Sequence, residues 1–321
     1  MNIKKFCDFF KIKHSIENDP SSLDDIYQFF ERLRKSIESG EPNALIIGEY
    51  LFQNISSEKV RQRKSSATEF EDFLEFSLGG KVTDKDARKN IELSDISKID
   101  DEIATYISSN RREKMDITFQ SGYGVSLKTS VPENKEINMG SFAREALFKG
   151  FLTPREYGGE RKGGLGSKPQ IKSTFEKIQS KKTMWKKFSK GFETMVNNIY
   201  VDDMVFVIKG GTYLELYFID SKILQKILTD AVEGGPSKSI GVINRYEGNS
   251  MRIERDKIIK HGKKVKLDFT SENFTKLRGI ISHIRIIEQI TLENIGNKKI
   301  SEAEKALYSQ IKLMLKDMES F

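Results

Sequence analysis

Two pairs of strand-like segments, each broken by a glycine turn, constrain most strongly what this chain can fold into. The first pair runs from Met115 to Thr129 around a Gly-Tyr-Gly turn, and the second runs from Met204 to Ile219 around Gly210-Gly211. Short apolar or alternating segments that flank such a turn are typical of β-hairpins. The sequence therefore predicts two hairpins that contribute to a small mixed sheet.

Helical patterns precede and follow the hairpins. Apolar residues recur every three or four positions from Asp24 to Glu38, with Ser22 as a candidate N-cap and Gly40 as a stop signal. Similar signals predict helices over about 68–78, from Ser221 onward and in the C-terminal tail. Helices, then a sheet, then helices define an α/β (α+β) layout.

The expected architecture is a mixed central sheet flanked by helices, with helical additions at both ends of the sequence. Residues 1–60 are predicted to form an N-terminal helical subdomain. Residues 61–321 are predicted to form the functional domain, which includes the C-terminal helices.

Composition excludes several classes of protein. The longest apolar runs, Ala44–Ile47 and Met204–Ile208, are too short to cross a bilayer, and the first residues lack the apolar stretch of a signal peptide. A single cysteine, Cys7, excludes a disulfide framework and a cysteine-rich zinc site. The three histidines are scattered, which disfavours a histidine-based metal cluster. We expect a cytoplasmic protein with no membrane partner.

Positive charge is concentrated in the second half of the sequence. The chain has 54 lysines and arginines and 47 aspartates and glutamates, a net charge of +7. Residues 151–190 hold 11 basic and 3 acidic residues, whereas residues 1–115 hold 19 basic and 22 acidic ones. A basic half joined to a mildly acidic half favours a polyanion-binding surface. A solvated lysine-rich face is the alternative explanation.

The first hairpin carries residues suited to catalysis. Asp116 lies in its first strand, and Ser126 and Lys128 lie on one face of its second strand, because side chains alternate along a strand. A carboxylate can hold a divalent cation that polarises a phosphodiester and generates a nucleophilic hydroxide. A neighbouring lysine can orient the attacking water and neutralise developing charge. The set therefore suits metal-assisted phosphodiester hydrolysis.

This arrangement of Asp116, Ser126 and Lys128 resembles the PD-(D/E)xK nucleases, and in particular the type II restriction endonucleases. In that family an aspartate on one strand and an acid-x-lysine on the next strand carry catalysis. The sequence departs from the family at Met115, where proline is frequent, and at Ser126, where a second acid is usual. The resemblance implies a restriction-endonuclease-like fold, a Mg²⁺ cofactor and a catalytic role for these three residues.

Two glutamates are candidates for the acid that the family pattern would place at Ser126. Glu71 lies on the helix before the hairpin, where this family commonly directs a glutamate at the metal. Glu145 lies seventeen residues after Lys128, in a short predicted helix at 141–149, and resembles the variant in which the acid moves to the following helix. Glu71 is the preferred candidate. However, Thr68 and Glu71 also match a capping box, in which Glu71 would only bond the start of its own helix.

A second set of residues competes for the catalytic role. Asp203, Asp220 and Lys222 match the family pattern formally and keep the second acid. Asp220 or Ser221 is predicted to be an N-cap, because an apolar helical run follows. Lys222 would then lie on a helix instead of the strand that the motif requires. Asp116 and Lys128 also have a structural explanation without catalysis. In it, Asp116 is a solvent-exposed carboxylate at the end of a strand and Lys128 is a charge on an edge strand.

Two basic segments are candidates for contacting DNA. The first is a glycine-rich stretch whose backbone can approach phosphates, or which is only a surface linker. The second supplies arginine and asparagine, the residue types that read guanine and adenine edges, or is an exposed strand with internal ion pairs. The candidate residues are Arg161, Lys162 and Lys168 in the first segment and Arg245, Asn249, Arg252 and Arg255 in the second.

The predicted function is that of a type II restriction endonuclease, a Mg²⁺-dependent phosphodiesterase that cuts a short double-stranded DNA sequence. Two-fold related sites cut a palindrome most simply, so a homodimer is expected. A DNA methyltransferase of the same system would be a functional partner. Two alternatives stay open, namely a non-catalytic DNA-binding protein and a repair nuclease of the same fold that recognises DNA structure.

Overall fold

The computed structural model describes residues 19–83, 115–141, 147–148, 150–157, 165–247 and 250–282. Its helices are α1 (Leu23–Ser39), α2 (Pro42–Leu51), α3 (Ser65–Leu78), α4 (Pro154–Tyr157), α5 (Lys168–Gln179), α6 (Lys182–Ile199), α7 (Ser221–Glu233), α8 (Pro236–Ser239), α9 (Arg255–Ile259) and α10 (272–282). Its strands are β1 (Lys81–Val82), β2 (Ile117–Thr118), β3 (Gly124–Ser130), β4 (Glu136–Ser141), β5 (Asp203–Lys209), β6 (Tyr213–Ile219), β7 (Ile243–Glu247), β8 (Ser250–Glu254) and β9 (Lys263–Asp268). Helix α2 continues directly into a π-helical turn, Phe52–Ser56.

A six-stranded mixed sheet forms the centre of the molecule, with strand order β1-β2-β3-β5-β6-β9. Strands β3 and β5 are parallel, and every other neighbouring pair is antiparallel. The connection from β3 to β5 contains α5 and α6, as a parallel pair requires a long crossover. Both predicted hairpins, β2–β3 and β5–β6, are confirmed, and so is the mixed α/β layout.

Helices cover both faces of the central sheet. On one face, Phe30 of α1 and Phe70 of α3 are buried in the same core as Val205 of β5. On the other face, Phe188 of α6 is buried with Phe206 of β5. Alternating residues of one strand thus enter two different cores. In the part of the chain that the structure describes, no helix is long and apolar enough to span a bilayer.

Helix α1 has the limits that its sequence signals predict. The Ser22 side chain accepts a hydrogen bond from the amide of Asp25, and Gly40 ends the helix in the left-handed region at φ 82°. The apolar stripe of α1 is buried against the central sheet, in a core shared with α2 and α3. The described residues up to position 60 therefore pack as one helical layer of the sheet.

A second sheet was not predicted. Strands β4, β8 and β7 form a three-stranded antiparallel sheet, and β4 occupies a stretch for which the sequence predicts no strand. Its residues Ile137 and Met139 are buried in the core beside α5 and α6. The strand forms because β8, more than a hundred residues later, supplies its partner. Local pattern alone carries little of that information.

Candidate active site

The turn of the first hairpin sets the position of Asp116. The β2–β3 pairing is short, with Ile117 opposite Val125 and Thr118 opposite Gly124. A Cβ atom added at Gly124 would lie 1.8 Å from the sulfur of Met115, so any other residue at this position would have to displace the Met115 side chain. Met115 itself is buried, which explains an apolar residue immediately before Asp116.

The carboxylate of Asp116 forms hydrogen bonds with Ser126 and Lys128, the two residues that the sequence identifies as its partners. Its Oδ2 accepts hydrogen bonds from the Leu127 amide at 2.6 Å, the Ser126 hydroxyl at 3.0 Å and Lys128 Nζ at 2.9 Å. Lys128 Nζ also donates to Ser126 Oγ at 2.7 Å. Asp116 is 5% exposed, and the Lys128 side chain is 23% exposed. The result is a compact, partly accessible acid–hydroxyl–ammonium group.

The strand register explains why these side chains converge. Ser126 lies beside Met204 and Lys128 beside Phe206 in the parallel pair, so both point to the α6 side of the sheet. Leu127 between them enters the opposite core. The predicted common face of Ser126 and Lys128 is therefore confirmed. The Leu127 amide, which has no sequence signature, completes the group.

Helix α3 carries Glu71, the preferred candidate for the second acid. The helix begins at Ser65, so Thr68 lies inside it and the capping-box interpretation of Glu71 is wrong. Glu71 is buried, and α3 packs against β1 and β3. Glu71 therefore lies on a helix next to the strand of Ser126 and Lys128, but that helix packs in the core on the opposite side of the sheet from those two side chains. The other candidate, Glu145, lies outside the described residues.

The oxygen donors of Asp116 and Ser126 are of the type that a hard divalent cation prefers. Asp116 offers a carboxylate and Ser126 a hydroxyl, whereas Glu71 is a buried carboxylate on α3, which packs on the opposite side of the sheet. Magnesium is usually held by one or two carboxylates, and water and substrate phosphate complete its coordination. Among the described residues there is no cluster of three or more histidine, cysteine, aspartate or glutamate side chains. A sparse magnesium site, with its remaining ligands from solvent and substrate, is compatible with that set.

The competing residues have structural partners. Asp220 is the N-cap of α7 and accepts hydrogen bonds from the amides of Lys222 and Ile223, which confirms the predicted cap. Lys222 is exposed on that helix. Asp203 accepts from the Tyr123 hydroxyl at 2.6 Å and from the Ser221 amide at 2.8 Å. Asp203 therefore ties the first hairpin to the start of α7.

The Tyr123 hydroxyl remains protonated in this contact. Burial raises the pKa of Tyr123, and the hydrogen bond to Asp203 raises that pKa further. The hydroxyl is therefore a hydrogen-bond donor to Asp203 throughout the physiological pH range.

Lys168 is the one residue of the predicted phosphate-contacting set for which the structure gives a position. It begins α5, its side chain is about half exposed, and its Nζ lies 3.7 Å from Glu254. Arg161, Lys162 and Asn249 lie outside the described residues.

Arg245 and Arg252 lie on neighbouring strands of the three-stranded sheet. Arg245 pairs with Glu136 at 3.0 Å, and Arg252 pairs with Glu247 at 2.8 Å. Both side chains are partly exposed, so they belong to an accessible, ion-paired sheet face.

Arg255 has an internal role. It is 5% exposed, and its guanidinium donates to the backbone carbonyls of Pro132 at 3.1 Å and Asn134 at 2.8 Å. It also pairs with Asp256 at 2.9 Å. These contacts hold the loop before β4 to α9. These internal contacts account for the Arg255 guanidinium without a contact to DNA.

We expect Arg255→Met to lower the free energy of unfolding by about 1–3 kcal/mol. The variant leaves the backbone carbonyls of Pro132 and Asn134 without their charged hydrogen-bond donor, and a buried acceptor without a partner is costly. Arg252→Met is the matched control, with an expected loss below about 1 kcal/mol, because its ion pair is at the surface. Urea denaturation followed by circular dichroism measures both values. Equal values for the two variants would contradict the internal role of Arg255.

Sequence reasoning missed a further cluster of basic residues, Arg61, Arg63, Lys64 and Lys209, which line one cavity. Two signals were present. Arg61-Gln-Arg-Lys64 is a basic run in the acidic half of the sequence, and Lys209 directly follows the apolar run Met204–Ile208. Only the fold brings these two segments together.

No family model matches the chain, and no curated protein has a significantly similar sequence.

Proposed function

We propose that this protein is a Mg²⁺-dependent endonuclease that cuts a specific double-stranded DNA sequence, in the manner of a type II restriction enzyme. One observation carries the proposal. Asp116, immediately before β2, and Lys128 on β3 meet at 2.9 Å, and the Ser126 hydroxyl contacts both. A restriction-endonuclease-like form of the mixed sheet is part of the same proposal. The order of α3, an antiparallel β1–β3 meander, a helical crossover and a parallel β5 is compatible with it.

Each residue of the site has a distinct role in this proposal. Asp116 would hold the magnesium ion together with Glu71, or with Glu145 in the alternative arrangement. The bound ion supplies a polarised phosphate and a water of lowered pKa. Lys128 stabilises the negative charge that builds up on the phosphate oxygens, because its ammonium is already fixed beside the carboxylate. Ser126 donates to Asp116 and accepts from Lys128, which orients both.

The residues on one face of the three-stranded sheet support the proposal that the protein recognises a specific DNA sequence. Its apolar face is buried, with Ile137 and Ile253 in the core. The opposite face carries Asn138, Arg252 and Arg245 in one row, since Arg252 is registered with both of the others. Asparagine and arginine make bidentate hydrogen bonds with adenine and guanine edges, and the major groove admits a β-ribbon. On binding, the guanidinium groups would exchange their glutamate partners for bases.

Partners and location stay predictions. A palindromic target is cut most simply by two-fold related subunits, so we propose a homodimer on DNA. Double-stranded DNA is the proposed substrate, with a methyltransferase of the same system protecting the host sequence. Cytoplasmic location is the expectation that accompanies this function.

A non-catalytic DNA-binding protein is the second candidate, and a specific observation favours it. Asp116 Oδ2 already accepts three internal hydrogen bonds, which is also how a buried structural carboxylate is satisfied. In that case the Asp116–Lys128 pair stabilises the hairpin and DNA is bound without cleavage.

The experiment that separates these functions is incubation with plasmid DNA, with Mg²⁺ and with EDTA. We expect discrete fragments only with Mg²⁺, because the ion is needed to polarise the phosphodiester. Nicking or general degradation would support the structure-specific repair nuclease. Unchanged plasmid that is nevertheless retarded on a gel would support the non-catalytic binder and contradict the proposal.

A further inference from the structure

A cavity of about 310 Å³ lies at one end of the central sheet, at the opposite end of β3 from the turn of the first hairpin. Its wall includes Thr129 to Val131 at the end of β3, Lys209 at the end of β5, and the segment 61–64 before α3. Strands β3 and β5 are parallel, so the cavity lies at their common carboxyl edge. Ligands of α/β sheets bind in crevices at such edges.

The charged side chains that line this cavity are all positive. Arg61, Arg63, Lys64 and Lys209 line it, and there is no carboxylate among the described residues that line it. Arg61 is neutralised by Glu58 at 2.7 Å and Glu133 at 3.0 Å. No ion pair is found for the other three within the described ranges. Helix α3, which begins at Ser65, adds the positive end of its dipole.

Lys209 is the most unusual of these cations. It is 5% exposed, and its Nζ donates to Ser66 Oγ at 2.7 Å. Ser66 Oγ in turn donates to the carbonyl of Arg63 at 2.7 Å, so the ammonium is fixed at the start of α3. Burial and, to a smaller extent, the nearby charge of Arg61 together lower the pKa of Lys209 to about 8. A buried ammonium that lacks a carboxylate costs stability unless an anion joins it.

We propose that this cavity is a binding site for a phosphate group, with Lys209 at its base and Arg63 and Lys64 at its rim. The volume suits a phosphate with part of the molecule that carries it. The Lys209 ammonium and the rim cations provide charge-assisted donors of the kind that phosphate oxygens accept. The site uses none of the residues of the proposed active site and does not depend on nuclease activity. The phosphate belongs either to a small phosphorylated molecule or to a nucleic-acid strand.

Lys209→Met separates binding from folding. Methionine fills similar volume without the charge, so the free variant is expected to melt at the same temperature as the wild type or above it. Its affinity for inorganic phosphate, measured by isothermal titration calorimetry at fixed ionic strength, is expected to fall about tenfold or more, as for one lost charged hydrogen bond. Lys226→Met, at an exposed position on α7, is the matched control and should bind like the wild type.

The source of the phosphate is decided by two further titrations, with deoxyadenosine monophosphate and with a 12-base-pair duplex. A small phosphorylated molecule is identified by two results together. The wild type binds the nucleotide more tightly than inorganic phosphate, and Lys209→Met binds the duplex as the wild type does. Weaker duplex binding in the variant, with phosphate competing against the duplex, identifies the nucleic-acid backbone.

The proposal is overturned if inorganic phosphate binds wild type and Lys209→Met equally, or binds neither. Phosphate also raises the Tm of proteins generally, because it is excluded from their surface. An equal rise in Tm for wild type and Lys209→Met would therefore show no contribution from a specific site. If Lys209→Met does not fold, the Arg63→Ala/Lys64→Ala variant decides instead. Both residues are exposed, and unchanged phosphate affinity in that variant would overturn the proposal.

Discussion

Asp116→Asn is expected to abolish magnesium-dependent cleavage while the protein stays folded and still binds duplex DNA. Asparagine has the same shape and can still accept from the Leu127 amide, but it carries no charge to hold a cation. Lys128→Met removes the ammonium on the other side of the same pair. Each variant should lose at least about 100-fold in cleavage rate, the magnitude seen when one charge-stabilising group is removed from an active site. Single-turnover cleavage of a labelled cognate duplex measures the rate, and gel retardation measures binding.

A structural role for the pair makes a different prediction. Lys128→Met leaves the Asp116 carboxylate buried without its cation, which should destabilise the protein more than the neutral double variant Asp116→Asn/Lys128→Met. If the pair is only structural, DNA binding should follow stability and recover in the double variant. If the pair is catalytic, the double variant regains stability and stays inactive.

The matched controls come from the competing residues. Asp220→Asn preserves the N-cap, because asparagine caps helices as well as aspartate does. Lys222→Met alters only an exposed side chain of α7. Both should cleave like the wild type. Full activity in the Asp116 and Lys128 variants, with loss in these controls, would move the active site to Asp203, Asp220 and Lys222.

Local signals were sufficient for much of the fold and for the core of the site. Ser22 and Gly40 delimit α1 through their own backbone and side-chain preferences, and Asp220 caps α7 by bonding amides two and three residues later. The hairpin that joins Asp116 to Lys128 likewise follows from a short turn and an alternating pattern. These features depend on residues a few positions apart, so the sequence displays them directly.

Features that depend on distant contacts could not be predicted in the same way. Helix α3 begins at Ser65 with no side-chain cap, so no local signal marks its start. The predicted start near residue 68, and the alternative of a Thr68–Glu71 capping box, are therefore wrong. Strand β4 exists because β8 pairs with it. Arg255 is an internal residue because the loop before β4 turns its carbonyls toward it.

Glu71→Gln tests which acid completes the proposed metal site. Glutamine keeps the size of the buried side chain but weakens its ability to hold a cation, so cleavage should fall by about 10- to 100-fold without unfolding, the loss typical of a weakened metal site. More Mg²⁺ should also be needed for half-maximal cleavage. A merely structural glutamate would not change that requirement.

Glu75→Gln is the control on the same helix, because Glu75 lies one turn later and is exposed. It should leave both the rate and the Mg²⁺ requirement unchanged. Glu145→Gln tests the alternative acid, which follows β4 in the chain. If Glu145→Gln raises the Mg²⁺ requirement and Glu71→Gln does not, the second acid is supplied after β4, and Glu71 is a buried carboxylate of α3 with no part in holding the metal.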